Sequence, residues 1–205
     1  MKVLISGAGI GGLVTALCLH RHGIACEVHE RVPELQEVGV GLTLLPHAMQ
    51  VLVELGLLEA LDEAGLRTEF MSYRTRDGLP VWEEPRGIPG GFDIPQISIH
   101  RGRLQTVLVR AVEERTPGIL HLDSALAGYD EDEDGVTARF VSADGTERDV
   151  RGTVLVGAEG IHSTLRQALN PGEGSPRWSG RMLWRGAVER PAFGDGTTIV
   201  ISGGS

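Results

Sequence analysis

The chain has 205 residues, enough to bury a core in one or two domains. With 41% hydrophobic and 23% charged residues it is globular, not disordered, and a net charge of −9 without a Lys/Arg cluster excludes the basic face of a nucleic-acid binder. No apolar run approaches the ~18 residues of a membrane span, no signal peptide precedes the first strand, and Cys18 and Cys26, in apolar surroundings, read as buried free thiols of a cytoplasmic protein.

Residues 2–6 (KVLIS) predict a strand; glycines follow, and Leu13, Ala16 and Leu17 recur at helical spacing until Gly23. CEVHE (26–30) predicts a second strand, so the chain opens with a β–α–β unit whose strands are parallel. Residues 31–45 show no clean period. From Pro46, the residues Ala48, Val51, Leu52 and Leu55 form a helical stripe that Gly56 stops. Residues 69–74 and 79–83 read as a hairpin through Asp77-Gly78, and 84–95 as a Gly/Pro-rich loop. QISIH (96–100) returns to strand, and Leu104, Leu108, Ala111 and Val112 mark a helix ended by Pro117-Gly118. Strands at 119–122, 124–129, 135–141 and 146–150, with DEDG and SADG turns, predict an antiparallel meander. The acidic run Asp130–Asp134 reads as a solvated hairpin tip, too short and continuous for a calcium loop. TVLVG (153–157) predicts a buried parallel strand, and 182–189 and 197–202 two further strands.

Gly7-Ala8-Gly9-Ile10-Gly11-Gly12 is G-x-G-x-x-G between a strand and a helix. Gly7 allows the tight turn, Gly9 lets the backbone approach a pyrophosphate, and Gly12 lets helix and strand pack closely; the helix N-terminus attracts the anion. Glu30, at the end of the second strand, can accept hydrogen bonds from ribose hydroxyls and opposes the 2′-phosphate of NADP. NAD and FAD remain, and Arg31 after the acid leans towards FAD. A second strand–glycine–helix stretch, VGAEGIHSTLR (156–166), raises the question of one long cofactor or two.

With that stretch, GVGLTLLPHAMQVLVELGL (39–57) and SIHRGRLQTVL (98–108) resemble, in order and spacing, the single-component FAD-dependent aromatic hydroxylases of the p-hydroxybenzoate hydroxylase type, the phenazine and salicylate hydroxylase branch above all. The resemblance implies an α/β fold: a Rossmann-like FAD-binding domain, with a parallel sheet and an antiparallel meander, plus part of a β-rich substrate domain. The expected division is 1–70 with 96–175 for FAD, and 71–95 with 176–205 for the incomplete substrate domain. One FAD would use both glycine turns. Gly7, Gly9 and Gly12 would hold its pyrophosphate and Glu30 the ribose, with Arg31 beside it. Arg101 would reach the phosphates or ribityl chain, the backbone near Leu126 the adenine, and Gly41 would lie where the loop passes the flavin. The second turn, with Glu159, would serve FAD and NAD(P)H.

The resemblance further implies a monooxygenase in which NAD(P)H reduces FAD, molecular oxygen adds at C4a, and the resulting hydroperoxyflavin hydroxylates a small aromatic substrate; the protein orients and excludes water. No catalytic residue follows from this. Ser163 and His162 do not face each other as a nucleophile pair, and Ser163 suits a helix cap. No histidine shows metal-ligand spacing with an acid or cysteine; His20 and His22 suit a helix C-terminus. Three departures stand out. Glu159 replaces the family's usual Asp. His47 replaces a frequent Asn and reads as a partly buried structural histidine. The later G-D motif is absent, as in a truncated chain or one completed by a second polypeptide, and the segment alone is expected to be inactive. The alternatives are an inert FAD-binding fragment, an NAD-dependent Rossmann dehydrogenase, or a related flavoprotein such as a polyprenyl reductase or a flavin halogenase, the last without the Trp-x-Trp-x-x-Pro stretch usual in halogenases.

Overall fold

The computed structural model describes residues 1–189, 191, 195 and 197–203. Arg190, Ala192, Phe193, Gly194, Gly196, Gly204 and Ser205, all in the expected 176–205 segment, lie outside the described residues. In chain order the elements begin β1 (Lys2–Ser6), α1 (Ile10–Arg21), β2 (Ala25–His29), β3 (Gly41–Leu44), α2 (Pro46–Glu54), α3 (Leu58–Ala64) and β4 (Gly65–Thr68). They continue with β5 (Phe70–Thr75), β6 (Pro80–Pro85), β7 (Gln96–His100), α4 (Arg101–Arg115), β8 (Leu120–His121) and β9 (Ala125–Asp132). The last are β10 (Gly135–Val141), β11 (Glu147–Gly152), β12 (Val154–Gly157), a 3₁₀ turn at Gly160–His162, α5 (Thr164–Leu169) and β13 (Thr198–Gly203). They fall into two compact units: Met1–Gln36 with Leu108–Leu183, and Glu37–Val107 with the described part of Trp184–Ser205.

The first unit holds a parallel sheet in the order β12-β1-β2-β8. Central β1 is covered on both faces, which is why its middle, Val3-Leu4-Ile5, is a continuous apolar run. Val3 and Ile5 are in register with Cys26 and Val28, and this face takes α1 through Leu13, Ala16 and Leu17, all buried. The Cys26 thiol lies 4.0 Å from the Ala16 carbonyl, and both cysteines are free. Leu4, on the opposite face, packs with Leu126, Ala138, Phe140, Val150 and Leu165, so the antiparallel sheet β11-β10-β9 and α5 share that core.

Two expectations need correction here. The strand at 119–122 does not belong to the meander: Leu120 and His121 pair in parallel with Val28 and His29 and form the edge of the first sheet. The residues after it bond to the loop following β2 instead of closing a hairpin, Asp123 N–H to the Val32 carbonyl and Ser124 N–H to that of Glu30. Nor is β12 buried: it is the other edge, and Val154 is 44% exposed. The meander turns are as expected, each closed by an Asp side chain accepting a backbone N–H two residues on, Asp132 from Asp134 and Asp144 from Thr146.

In the second unit β3-β7-β4 is one antiparallel sheet, and β13-β5-β6 another. The β5/β6 hairpin turns at Asp77-Gly78 as expected, with Gly78 at φ +85°. β13 joins β5 in parallel. In α2 the buried face is Met49 and Leu52, whereas Val51 is 40% exposed, so the expected stripe is rotated. α3 and β4 fill a stretch for which the sequence predicts nothing, anchored by buried Leu57 and Leu61. The expected strand at 182–189 has no regular structure; its apolar residues Met182, Leu183, Trp184 and Val188 are exposed.

Candidate functional site

The two glycine turns lie side by side. β1 and β12 are adjacent parallel strands with Ser6 in register with Gly157, and the Ala158 N–H donates to the Ser6 carbonyl at 2.7 Å. The contact is backbone on backbone. Gly7 sits at φ +106°, where a Cβ would fall 2.5 Å from the Ala158 carbonyl oxygen, and a Cβ on Gly12 would fall 1.9 Å from the Gly7 carbonyl oxygen. Gly12 therefore packs α1 onto the first turn itself. Gly9 differs from both: a Cβ there meets nothing within 4 Å. Gly9 is also the N-cap of α1, with no side-chain cap bond and no acid in the first turn. Open space before a helix N-terminus that no side chain caps fits an anionic diphosphate.

Glu30 stands beside this opening. One carboxylate oxygen accepts the Ala8 N–H at 2.7 Å and the other the Val32 N–H at 3.1 Å, fixing the side chain between the first turn and the loop after β2. Charge-assisted acceptors of this kind keep lone pairs for a further donor such as a ribose hydroxyl. Arg31 is exposed in that loop. The Ser124 bond to Glu30 brings the start of β9 alongside. Leu126, two residues on, buries its side chain in the core, so only main chain of this stretch can face a ligand.

The second turn closes on itself. Ser163 is the N-cap of α5 and accepts the Arg166 N–H at 3.1 Å, as its position in the sequence implies. Glu159 accepts the Ser163 hydroxyl at 2.6 Å and the backbone N–H groups of Thr164 at 3.3 Å and Leu165 at 3.2 Å. The longer carboxylate thus reaches back onto the helix start. Sequence reasoning missed Arg166, whose guanidinium bonds the Gly160 and Ile161 carbonyls and Glu173, holding the turn from below; no spacing rule marks such a residue.

Gly41 and Arg101 belong to the second unit and meet there. Gly41 opens β3 opposite His100 of β7, with open space where a Cβ would stand. The Arg101 N–H donates to the Val40 carbonyl at 3.0 Å, and His100 Nε2 bonds the Gly39 carbonyl at 2.9 Å, so the 39–41 loop is tied to the start of α4. The Arg101 side chain is exposed. His47, expected to be partly buried, is exposed in the first turn of α2.

A separate cluster escaped the sequence reading. His29, 1% exposed, stacks between Phe140 (centroids 3.8 Å apart) and His121 (4.8 Å), with Nδ1 2.9 Å from the Ser124 hydroxyl. Its Nε2 lies 3.5 Å from Glu27, whose other oxygen takes Lys2 Nζ at 2.8 Å. Burial, aided by the neighbouring His121, pushes the His29 imidazole down to about 4, so it is neutral at pH 7.

A family profile described as FAD binding domain matches residues 1–184. The phenazine 1,6-dicarboxylic acid hydroxylase PhzS of Lysobacter antibioticus is 37% identical over 98% of this chain and 50% of its own length. The structure of Klebsiella pneumoniae HpxO complexed with FAD and uric acid is similar over 82% of this chain and 41% of that one, at 28% identity and a TM-score of 0.67. That of p-nitrophenol 4-monooxygenase PnpA from Pseudomonas putida DLL-E4 shares the fold at a TM-score of 0.75, with 20% identity over 82% of this chain and 42% of that one. The chain spans about half the length of the curated relatives it matches. With its paired glycine turns and the acid at the end of β2, the chain belongs to the family of FAD binding domains.

Proposed function

We propose that this chain supplies the adenosine-diphosphate end of an FAD site in an NAD(P)H-consuming monooxygenase that hydroxylates a small aromatic or related electron-rich substrate. The observation that carries the proposal is the asymmetric pair of turns: an open, uncapped N-terminus at Gly9 with Glu30 beside it, braced by a second turn that satisfies its own helix. Gly9 and the head of α1 hold the diphosphate, Gly7 and Gly12 give the turn its shape, and Glu30 accepts the ribose hydroxyls with Arg31 at the rim. The main chain near Leu126 lies along the adenine. Gly41 and Arg101 are assigned to the ribityl and flavin portion by the family resemblance alone, and Glu159 to the wall that FAD and NAD(P)H share. When bound, the flavin supplies the redox chemistry between NAD(P)H, O2 and the ring to be hydroxylated; the protein holds, orients and shields it. The segments 71–95 and 176–205 contribute to the substrate side, a reading supported by the pairing of β13 with β5. The phenazine-hydroxylating relative and the urate-bound structure favour a planar heteroaromatic or phenolic substrate.

Titration of the chain with FAD, ADP-ribose and NAD+ tests the reading, with flavin fluorescence and retention on gel filtration as readouts. FAD retained in preference to NAD+ supports it. Preference for NAD+ with no flavin retention overturns it in favour of a dehydrogenase-type site.

A further inference from the structure

We propose that Glu27, His29 and His121 form a site for a borderline divalent cation such as Zn2+, behind the first glycine turn, whose Gly7 N–H donates to the His29 carbonyl at 2.7 Å. Glu27 and His29 are two residues apart on β2 and share one face of the sheet. His121 stands in register with His29 on the adjacent β8. His29 Nε2 and His121 Nε2 lie 3.5 and 4.0 Å from the same Glu27 oxygen, Oε2, and each residue offers a ligand atom within 4.8 Å of the others. Two ligands on one tetrahedral zinc are about 3.4 Å apart, so Glu27 Oε2 and His29 Nε2 already stand at that spacing and His121 has to turn to join them.

An independent observation points to the same place. Glu27 Oε2 and His29 Nε2 are buried and, apart from their mutual approach at 3.5 Å, have no hydrogen-bond partner among the described residues. Buried polar atoms are seldom left so. The remaining atoms of both groups are engaged in the manner of supports behind a metal site: Ser124 holds His29 Nδ1, which leaves Nε2 as the ligand nitrogen, and Lys2 holds Glu27 Oε1, which turns Oε2 towards the imidazoles. His121 must rotate out of its stack on His29 to present its nitrogen, and its partial exposure permits this. It lines an open cavity of about 310 Å³ with Leu122, Asp123, Ser124, Phe140, Ser142 and Arg148, which gives an ion access to the His121 side of the cluster. The charges around the cluster, Lys2 and Arg148 against Glu27 and Asp123, nearly cancel, so selection falls to the imidazoles. Two nitrogens and one oxygen favour Zn2+ or Co2+ over Mg2+ and Ca2+.

The test is calorimetric titration of the chain with Zn2+ and the visible spectrum of its Co2+ complex. His121→Ala and Glu27→Gln are compared with a double variant at the exposed pair, His20→Ala/His22→Ala, and metal-free thermal midpoints check that each variant is folded. The expected result is one Zn2+ per chain, tetrahedral Co2+ absorption and a thermal midpoint raised by Zn2+ but not Mg2+. Removing a ligand by His121→Ala or Glu27→Gln weakens binding at least about tenfold, while the double variant binds as the parent does. Absence of the Co2+ spectrum, unchanged affinity in folded His121→Ala and Glu27→Gln, or loss of binding in the double variant overturns the site. None of these readouts depends on flavin.

Discussion

The two glycine turns leave adjacent parallel strands at the same end of the sheet, yet their helices begin in opposite ways. α1 has Gly9 as its N-cap, no capping side chain and no acid in its first turn. α5 begins under Ser163 and Glu159, which between them accept the N–H groups of Thr164, Leu165 and Arg166. An anion arriving at α1 finds unsatisfied donors and a favourable dipole; one arriving at α5 finds a carboxylate already there. Two similar stretches of sequence therefore need not mean two nucleotides. On the proposed reading one turn is left open for the ligand, and the other is closed so that its backbone braces the first through Ala158 and Gly7.

The most severe break in this arrangement is Gly12→Ala. Its Cβ would sit 1.9 Å from the Gly7 carbonyl oxygen, and backbone on both sides cannot yield cheaply. We expect a loss of about 3 kcal/mol, the upper range for overpacking, measured by urea denaturation with and without FAD. A stability equal to the parent's shows that α1 does not lean on the turn this closely.

Gly9→Val separates shape from ligand. The residue has an extended backbone (φ −72°, ψ 179°) and open space at its Cβ, so stability stays within about 0.5 kcal/mol. FAD affinity falls at least tenfold, the loss of about 1.5 kcal/mol or more that goes with a hydrogen bond to a charged group. Normal flavin content in this variant places the diphosphate elsewhere. Glu30→Ala acts on both properties. On the proposed site it removes the ribose acceptor, weakening FAD binding by roughly 1.5–3 kcal/mol, and it leaves the Ala8 N–H without its carboxylate. Unchanged affinity in a titration of both forms removes Glu30 from the ribose.

What was legible in the sequence was whatever rests on local spacing. Gly7, Gly9 and Gly12 announce a strand-to-helix turn, Ser163 announces a cap, and QISIH marks β7 at the residues where it lies. What stayed hidden depends on partners distant in sequence. The strand at 119–122 reads like a meander strand because its two-residue pairing with β2 leaves no periodic trace. The Val51 side of α2 is exposed although it continues an apolar stripe, since burial is set by where β7 lies. The Glu27–His29–His121 cluster was missed because its third member is 92 residues beyond His29, and only the parallel register brings it close. Glu159 was legible as a substitution, but not its direction: its carboxylate reaches three donors at the start of α5, the Ser163 hydroxyl and the Thr164 and Leu165 N–H groups.

That reach gives the smallest and most discriminating test of the two turns. Glu159→Ala removes an acceptor for the Ser163 hydroxyl and for two backbone N–H groups at the start of a six-residue helix, while Ser163 continues to cap Arg166. Loss of one helix-capping group costs about 1 kcal/mol, and we expect a fall in stability of that size. If the turn is closed as the bonds indicate, FAD affinity changes by less than about threefold, because the first turn keeps its packing against Ala158, whose position is set by β1 and β12. If Glu159 instead contacts the cofactor, affinity falls with little change in the thermal midpoint. Measuring both on one variant decides which, and Glu159→Asp refines the answer: a shorter carboxylate that loses the Leu165 bond but keeps Ser163 should recover about half the stability.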